Sequence, residues 1–282
     1  MAVARQSNER LFCWEQVARV NPLFRVSQPF APAGQAERLL PLYALFSAVE
    51  QLCTQWSDAE LARRKLDWWR SECLAGDPAN SDHPILRELA KHSALPDRGL
   101  LGPLLEGAAG RLDGVAPADG DGLEALCRET GLPQVRIELD ALGEDPGGAL
   151  ATAPSARIGL AQLLRESMGQ GRPNHFWWLP LNLLARHGIS RAEVEQEVDG
   201  PVALALFSEI LDQAGRWKQP IVAAENSLPQ AARHLAVHAH LQQRALDRLR
   251  GRPPSEYATA LRKAGLAELL QAWRCARRVS RP

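Results

Sequence analysis

No two cysteines of the chain form a C-x-x-C pair: Cys13, Cys53, Cys73, Cys127 and Cys275 are scattered and odd in number. That pattern excludes a disulfide framework and a cysteine zinc site, and it leads us to expect a reducing compartment. Long apolar runs are also missing. Nothing approaches the roughly 20 residues of a membrane span, and "MAVARQSNERLFCWEQ" has no secretory h-region. Arg5 and Arg10 are followed too closely by Glu9 and Glu15 for an attractive transit peptide. The expected location is cytoplasmic, at most peripheral to a membrane. Net charge is absent as well, with Lys+Arg 33 against Asp+Glu 33, which argues against a non-specific grip on nucleic acid through a basic face. Lysine is scarce, being confined to Lys65, Lys91, Lys218 and Lys263, so arginine carries almost all the positive charge. No P-loop, dinucleotide fingerprint or nucleophile elbow occurs.

Period-two alternation of β-branched residues is missing too, whereas helical spacing recurs along the chain, so the expected fold is all-α and single-domain over 1–282. The spacing predicts helices at about 7–19, 35–55, 58–75, 83–94, 99–113, 121–142, 155–169, 190–197, 201–218, 228–250 and 255–278. Ser57-Asp58 caps one of them and Ser227 before Pro229 another, with Gly251 placed to end the latter. "GEDPGGALATAPS" (143–155) reads as a mobile loop, and 275–282 as a flexible tail.

One position violates its pattern. In "YALFSAVEQLCTQW" (43–56), Tyr43, Phe46, Val49, Cys53 and Trp56 define an apolar face, and Glu50 projects inside it. A carboxylate there has to be paired, neutralised or bound, since an unpaired buried charge costs several kcal/mol.

Five stretches in order resemble the squalene/phytoene synthase family, whose members join two prenyl diphosphates head to head. "PLYALFSAVEQLCT" (41–54) is similar to its first aspartate-rich helix, "LDWWRSEC" (66–73) and "HPILREL" (83–89) to its W-R-x-E and H-P-I segments, and "LEALCRETG" (123–131) to its tyrosine-containing helix. "IGLAQLLRESMGQGRPNHFWWLP" (158–180) resembles its second acidic helix running into a Y-L-P turn. The likeness is clearest over 24–190 and loosens in the C-terminal third. It implies an isoprenoid-synthase-type helical bundle around a central cavity, with helices 41–56 and 158–169 facing each other. It also implies that Glu50 and Glu166 stand where acids hold Mg²⁺, and that Tyr43, Phe46, Gln162, Arg165 and Trp177 or Trp178 meet the prenyl substrate.

Both acid motifs are half empty. Gln51 and Thr54 replace acids of the first, Gln170 and Gly171 those of the second, and Asp58 lies about 12 Å along the helix from Glu50. Members of the superfamily that have lost these acids include a mitochondrial factor needed to assemble respiratory complex I, and R-E-x-x-x-Q-G with "FWWLP" is closer to those. The resemblance therefore implies a non-catalytic member that binds a prenyl lipid or serves assembly with a protein partner, without a cofactor. A Mg²⁺-dependent condensing enzyme acting on prenyl diphosphates is the alternative, and a helical adaptor with a collapsed interior is a third reading.

Simpler readings stand beside these. Glu50 could pair with an arginine from a neighbouring helix, such as Arg165, without any ligand. Gln162, Arg165 and Glu166 share a helix face that could be solvated. Trp68, Trp69, Trp177 and Trp178 could be ordinary packing, one of each pair pointing elsewhere. Gly159 and Ala161 could leave room for a ligand or serve close packing. His234 and His238, at i and i+4, read as a core or surface pair and not as a zinc site, because no third ligand is near. "EVEQEVD" (193–199) reads as a solvated face, and the arginines of "RCARRVSRP" as a tail that could touch anionic lipid.

Overall fold

The computed structural model describes residues 2–54, 58–77, 80–168, 176–217 and 232–279. Fourteen α-helices lie among them, with no strand: α1 (Ala2–Val20), α2 (Leu23–Ser27), α3 (Ala36–Thr54), α4 (Ala59–Arg70), α5 (Pro84–Lys91), α6 (Arg98–Asp113), α7 (Gly120–Leu142), α8 (Ala149–Ser167), α9 (Leu181–His187), α10 (Arg191–Gln196), α11 (Pro201–Arg216), α12 (Arg233–Asp247), α13 (Tyr257–Leu261) and α14 (Leu266–Val279). The fold is all-α, as expected.

Several helices begin on a sequence-encoded cap. Asp58 accepts the backbone N–H groups of Glu60 and Leu61, Asp97 that of Gly99, and Ser190 with Glu193 forms a reciprocal capping box. Three prolines, Pro41, Pro103 and Pro154, each stand sixth in their helix. The first N–H groups of a helix have no intrahelical partner, so a proline that early removes only a bond near the start of the ladder. That explains why "GEDPGGALATAPS" is not a loop throughout: α8 starts at Ala149 and runs through Pro154. The expected helix at 255–278 is two pieces, because Gly265 donates its N–H to Glu268 and starts α14 afresh. The tail reading of 275–282 is corrected over 275–279, where Cys275 and Ala276 bury the last turn of α14; 280–282 lie outside the described residues, as does the cap at Ser227.

Two apolar cores organise the bundle. One joins α1, α3, α4, α5 and α6 around Phe24, Tyr43, Phe46 and Trp69. The other joins α8, α11, α12, α13 and α14 around Phe176, Trp178 and Phe207. Helices α7 and α8 are locked by glycine: a Cβ on Gly159 would lie 1.8 Å from Cys127 O, and one on Gly131 2.1 Å from Ser155 O. Gly159 thus serves close backbone approach and not ligand room. The consequence for the site is positional. Clamped to α7, α8 presents Gln162, Arg165 and Glu166 to the first core along a polar seam.

Candidate functional site

Glu50 is the residue around which the seam is built. Arg165 on α8 donates from Nε and Nη2 to the two Glu50 oxygens, both at 2.8 Å, a bidentate fork on a carboxylate that is 5% exposed. On the next residue of α8, Glu166 accepts from Arg111 Nε of α6 at 3.1 Å and from Gln162 Nε2 at 2.8 Å. Gln134 of α7 in turn donates to Gln162 Oε1 at 2.5 Å. Burial opposes the charge on Arg165, but Glu50 and then Glu166 outweigh it and hold the guanidinium above its ordinary range. Arg111 is held up in the same way, against burial, by Glu166, Cys53 and Glu50. Each arginine feels both carboxylates, so the four side chains form one buried cluster with no net charge.

A second chain of polar groups adjoins this cluster. Tyr43 shares one α3 face with Ser47 and Glu50, and its hydroxyl donates to Glu138 Oε2 at 2.7 Å. Burial and the Glu138 charge push the Tyr43 phenol well above its ordinary value. His234 Nδ1 donates to Glu138 Oε1 at 2.6 Å, and its Nε2 lies 3.0 Å from Ser27 Oγ. His238 receives Asn21 Nδ2 and Gln242 Nε2 on its own Nε2, each at 3.3 Å, which leaves Nδ1–H to donate to Ser27 Oγ at 3.2 Å. Burial, then His234 and Arg165, hold the His238 imidazolium pKa well below its ordinary value. The histidines are a core pair with protein partners on every ring nitrogen. Among the described residues no group of three His, Cys, Asp or Glu side chains could hold a metal ion.

The residues expected from sequence separate accordingly. Glu50, Gln162, Arg165 and Glu166 come together, all buried, so the solvated-face reading of the α8 residues is overturned. Tyr43 and Phe46 lie beside them, their rings 5.5 Å apart. Trp178 is buried against Phe207 and donates its indole N–H to Ser167 Oγ. Trp177 and Arg111 are among the residues lining a groove of about 690 Å³ between α6 and α7. Trp68 and Trp69 meet the His83 ring, tilted and edge-on respectively, and neither contacts the seam residues through its ring. Gln51 and Thr54, which stand at acidic positions of the first motif, are committed elsewhere: Gln51 donates to Gln16 of α1, and Thr54 to backbone oxygens of its own helix. Gln170 and Gly171 lie outside the described residues.

Sequence reasoning missed Arg111, Glu138 and the partners Ser27, Asn21 and Gln242. Arg111 had a signal, since it falls at helical spacing from Leu104 and Ala108 inside the apolar arc of α6. Glu138, between Ile137 and Leu139, had the same one. Chemically, the donor set does not suit Mg²⁺. Each carboxylate already has its charge met by an arginine, Glu50 by Arg165 and Glu166 by Arg111, so a Mg²⁺ ion placed there would have to displace a guanidinium or share its carboxylate with one.

Comparison with known proteins bears on this geometry. The family model described as squalene/phytoene synthase matches residues 17–270. No curated protein matches the chain in sequence. Among solved structures it is similar to a dehydrosqualene synthase in complex with ligand, with 16% identity over 96% of both chains and a TM-score of 0.69. It is also similar to the squalene synthase HpnC from Alicyclobacillus acidocaldarius, with 17% identity over 88% of this chain and 95% of that one and a TM-score of 0.65. At such identities the likeness shows the fold.

Proposed function

The chain belongs to the squalene/phytoene synthase family, and from that premise we propose that it is a non-catalytic member that holds a neutral prenyl lipid or serves assembly of a protein partner. One observation carries the reading: Glu50 and Glu166, the two acids at the family's metal-holding positions, are each hydrogen-bonded to a buried arginine. To take a metal, Glu50 must release Arg165, and a guanidinium left uncompensated in that interior costs several kcal/mol. A dication brought into a cluster already balanced at zero adds to that cost. A neutral lipid leaves both ion pairs closed, and the groove between α6 and α7 offers it apolar surface from Leu100, Leu126, Leu132 and Trp177, whereas Phe46, Leu163, Leu164, Phe176 and Trp178 are enclosed in the packed cores. The condensing-enzyme alternative, with Glu50 and Glu166 on Mg²⁺ and Arg165 on a diphosphate, rests on family membership and needs both ion pairs to open.

Thermal shift separates the classes, because a ligand that binds only the native state raises its stability by mass action. The protein is melted with Mg²⁺ plus farnesyl diphosphate, with a neutral polyprenyl lipid or quinone, and with neither. A rise only with the neutral lipid supports a lipid-binding role, and no rise favours the closed adaptor. Stabilisation that needs metal and diphosphate together, and that Glu50→Gln abolishes, overturns the proposal.

A further inference from the structure

We propose that the outward face of α14 docks on the surface of an anionic lipid bilayer. The inward face of this helix, Glu268, Ala272, Cys275 and Ala276, is buried against α12 and α2. Its other side is also apolar. Leu266, Leu269, Leu270 and Trp273 are 85%, 43%, 45% and 47% exposed, and at about 100° per residue they fall within an arc of about 100°. Four of the eleven exposed large hydrophobics among the described residues thus sit on one 14-residue helix.

Charge decides what covers them. Arg262 and Lys263 precede the helix, Arg274, Arg277 and Arg278 close it, and all five are exposed. The only acid in that span, Glu268, faces inward, where Arg248 and the Gly265 N–H hold it. Within 262–278, five exposed cations and no exposed acid therefore flank one apolar stripe of a chain that carries no net charge. Arg277 lies over the Trp273 ring, 4.7 Å from its centroid, so guanidinium and indole present a joint apolar and cationic edge. Leucine and tryptophan can reach the acyl boundary while arginine heads remain at the phosphate level, which is how a helix lies in the plane of a bilayer. No described helix is long and apolar enough to cross one. The inference is independent of whether the interior is catalytic.

The test is co-sedimentation of the full chain with vesicles of phosphatidylcholine alone and of phosphatidylcholine mixed with phosphatidylglycerol. The expected result is strong preference for the mixed vesicles, weakening as salt rises. Replacing Arg274, Arg277 and Arg278 together by Gln lowers partition into mixed vesicles by about 100-fold, and Leu266→Glu with Leu270→Glu reduces it further and removes any binding to the neutral ones. Both variants change only exposed side chains, and the salt and lipid dependence of the unaltered protein is a second readout. No preference for the anionic vesicles, binding unchanged in both variants, or a solution dimer abolished by the leucine changes without vesicle binding would each overturn the proposal, the last by assigning the stripe to a second copy.

Discussion

Replacing Arg165 by Met removes one half of the best-formed buried ion pair and leaves Glu50 facing an apolar side chain. Both partners are almost wholly enclosed, with side-chain exposures of 4% and 6%. Breaking such a pair from one side costs about 3–5 kcal/mol, because the remaining charge keeps its desolvation penalty and loses its compensation. Unfolding entropy of about 2.1 cal/mol/K per residue gives about 0.6 kcal/mol/K for a chain of this length, so the melting temperature should fall by about 5–8 °C. The double variant Glu50→Leu with Arg165→Met removes both charges, and exchanging a whole buried pair for apolar residues is close to neutral. It should recover most of the loss, giving a coupling of about 2 kcal/mol or more between the two positions. Urea titration and thermal melts of the four proteins measure the cycle. A single variant melting within about 1 °C of the parent, or a double no more stable than the single, refutes the claim that Glu50 is held by Arg165.

The His238 network predicts a pH dependence. The unfolded histidine takes up a proton near its ordinary 6.5, and the folded one does so only well below that. Stability is therefore full above about pH 6.5 and falls as pH drops through and below it, at up to about 1.4 kcal/mol per pH unit. Melting temperature should drop between pH 7.5 and 5.5, with a shallower slope in His238→Gln, where His240, also depressed by burial, still contributes; a flat profile contradicts the assignment. Gly159→Ala should cost about 3 kcal/mol by forcing α7 from α8, whereas Gly110→Ala, with open space around it, should be neutral or mildly stabilising; equal melting temperatures for the two would refute the close-packing argument. All five cysteines are buried, and burial with nearby carboxylates pushes the Cys13 and Cys73 thiols up to about 12. Ellman's reagent should titrate them quickly only after denaturation, and a fast-reacting thiol in the native protein contradicts that burial.

The long helices were legible because 3.6-residue spacing marks them, and α3, α6, α7 and α11 begin and end within two residues of expectation. Helices α2 and α9, of five and seven residues, are too short to show a period, and tertiary packing alone fixes them. The stretch 143–155 departs from its loop reading because Pro154, sixth in α8, stands early enough in the helix to be tolerated. At the site, Glu50 announced itself as a carboxylate inside an apolar arc. Its partner was nameable as Arg165, whereas the pairing of Glu166 with Arg111 joins positions 55 residues apart that no local pattern connects. The histidine pair was visible as i, i+4 spacing. What it bonds to, Ser27 and Glu138, depends on how α2 and α7 pack around α12.

Two buried acids neutralised by arginines, at the positions proposed to correspond to the family's metal ligands, are the core of the account, and turnover tests that directly. Purified protein is incubated for hours with farnesyl or geranylgeranyl diphosphate and Mg²⁺, and released pyrophosphate is measured beside a protein-free blank. The account predicts no release above the blank, for the parent and for Glu50→Gln alike. Pyrophosphate release by the parent that Glu50→Gln abolishes would contradict it, since that result requires Glu50 to leave Arg165 and serve the reaction.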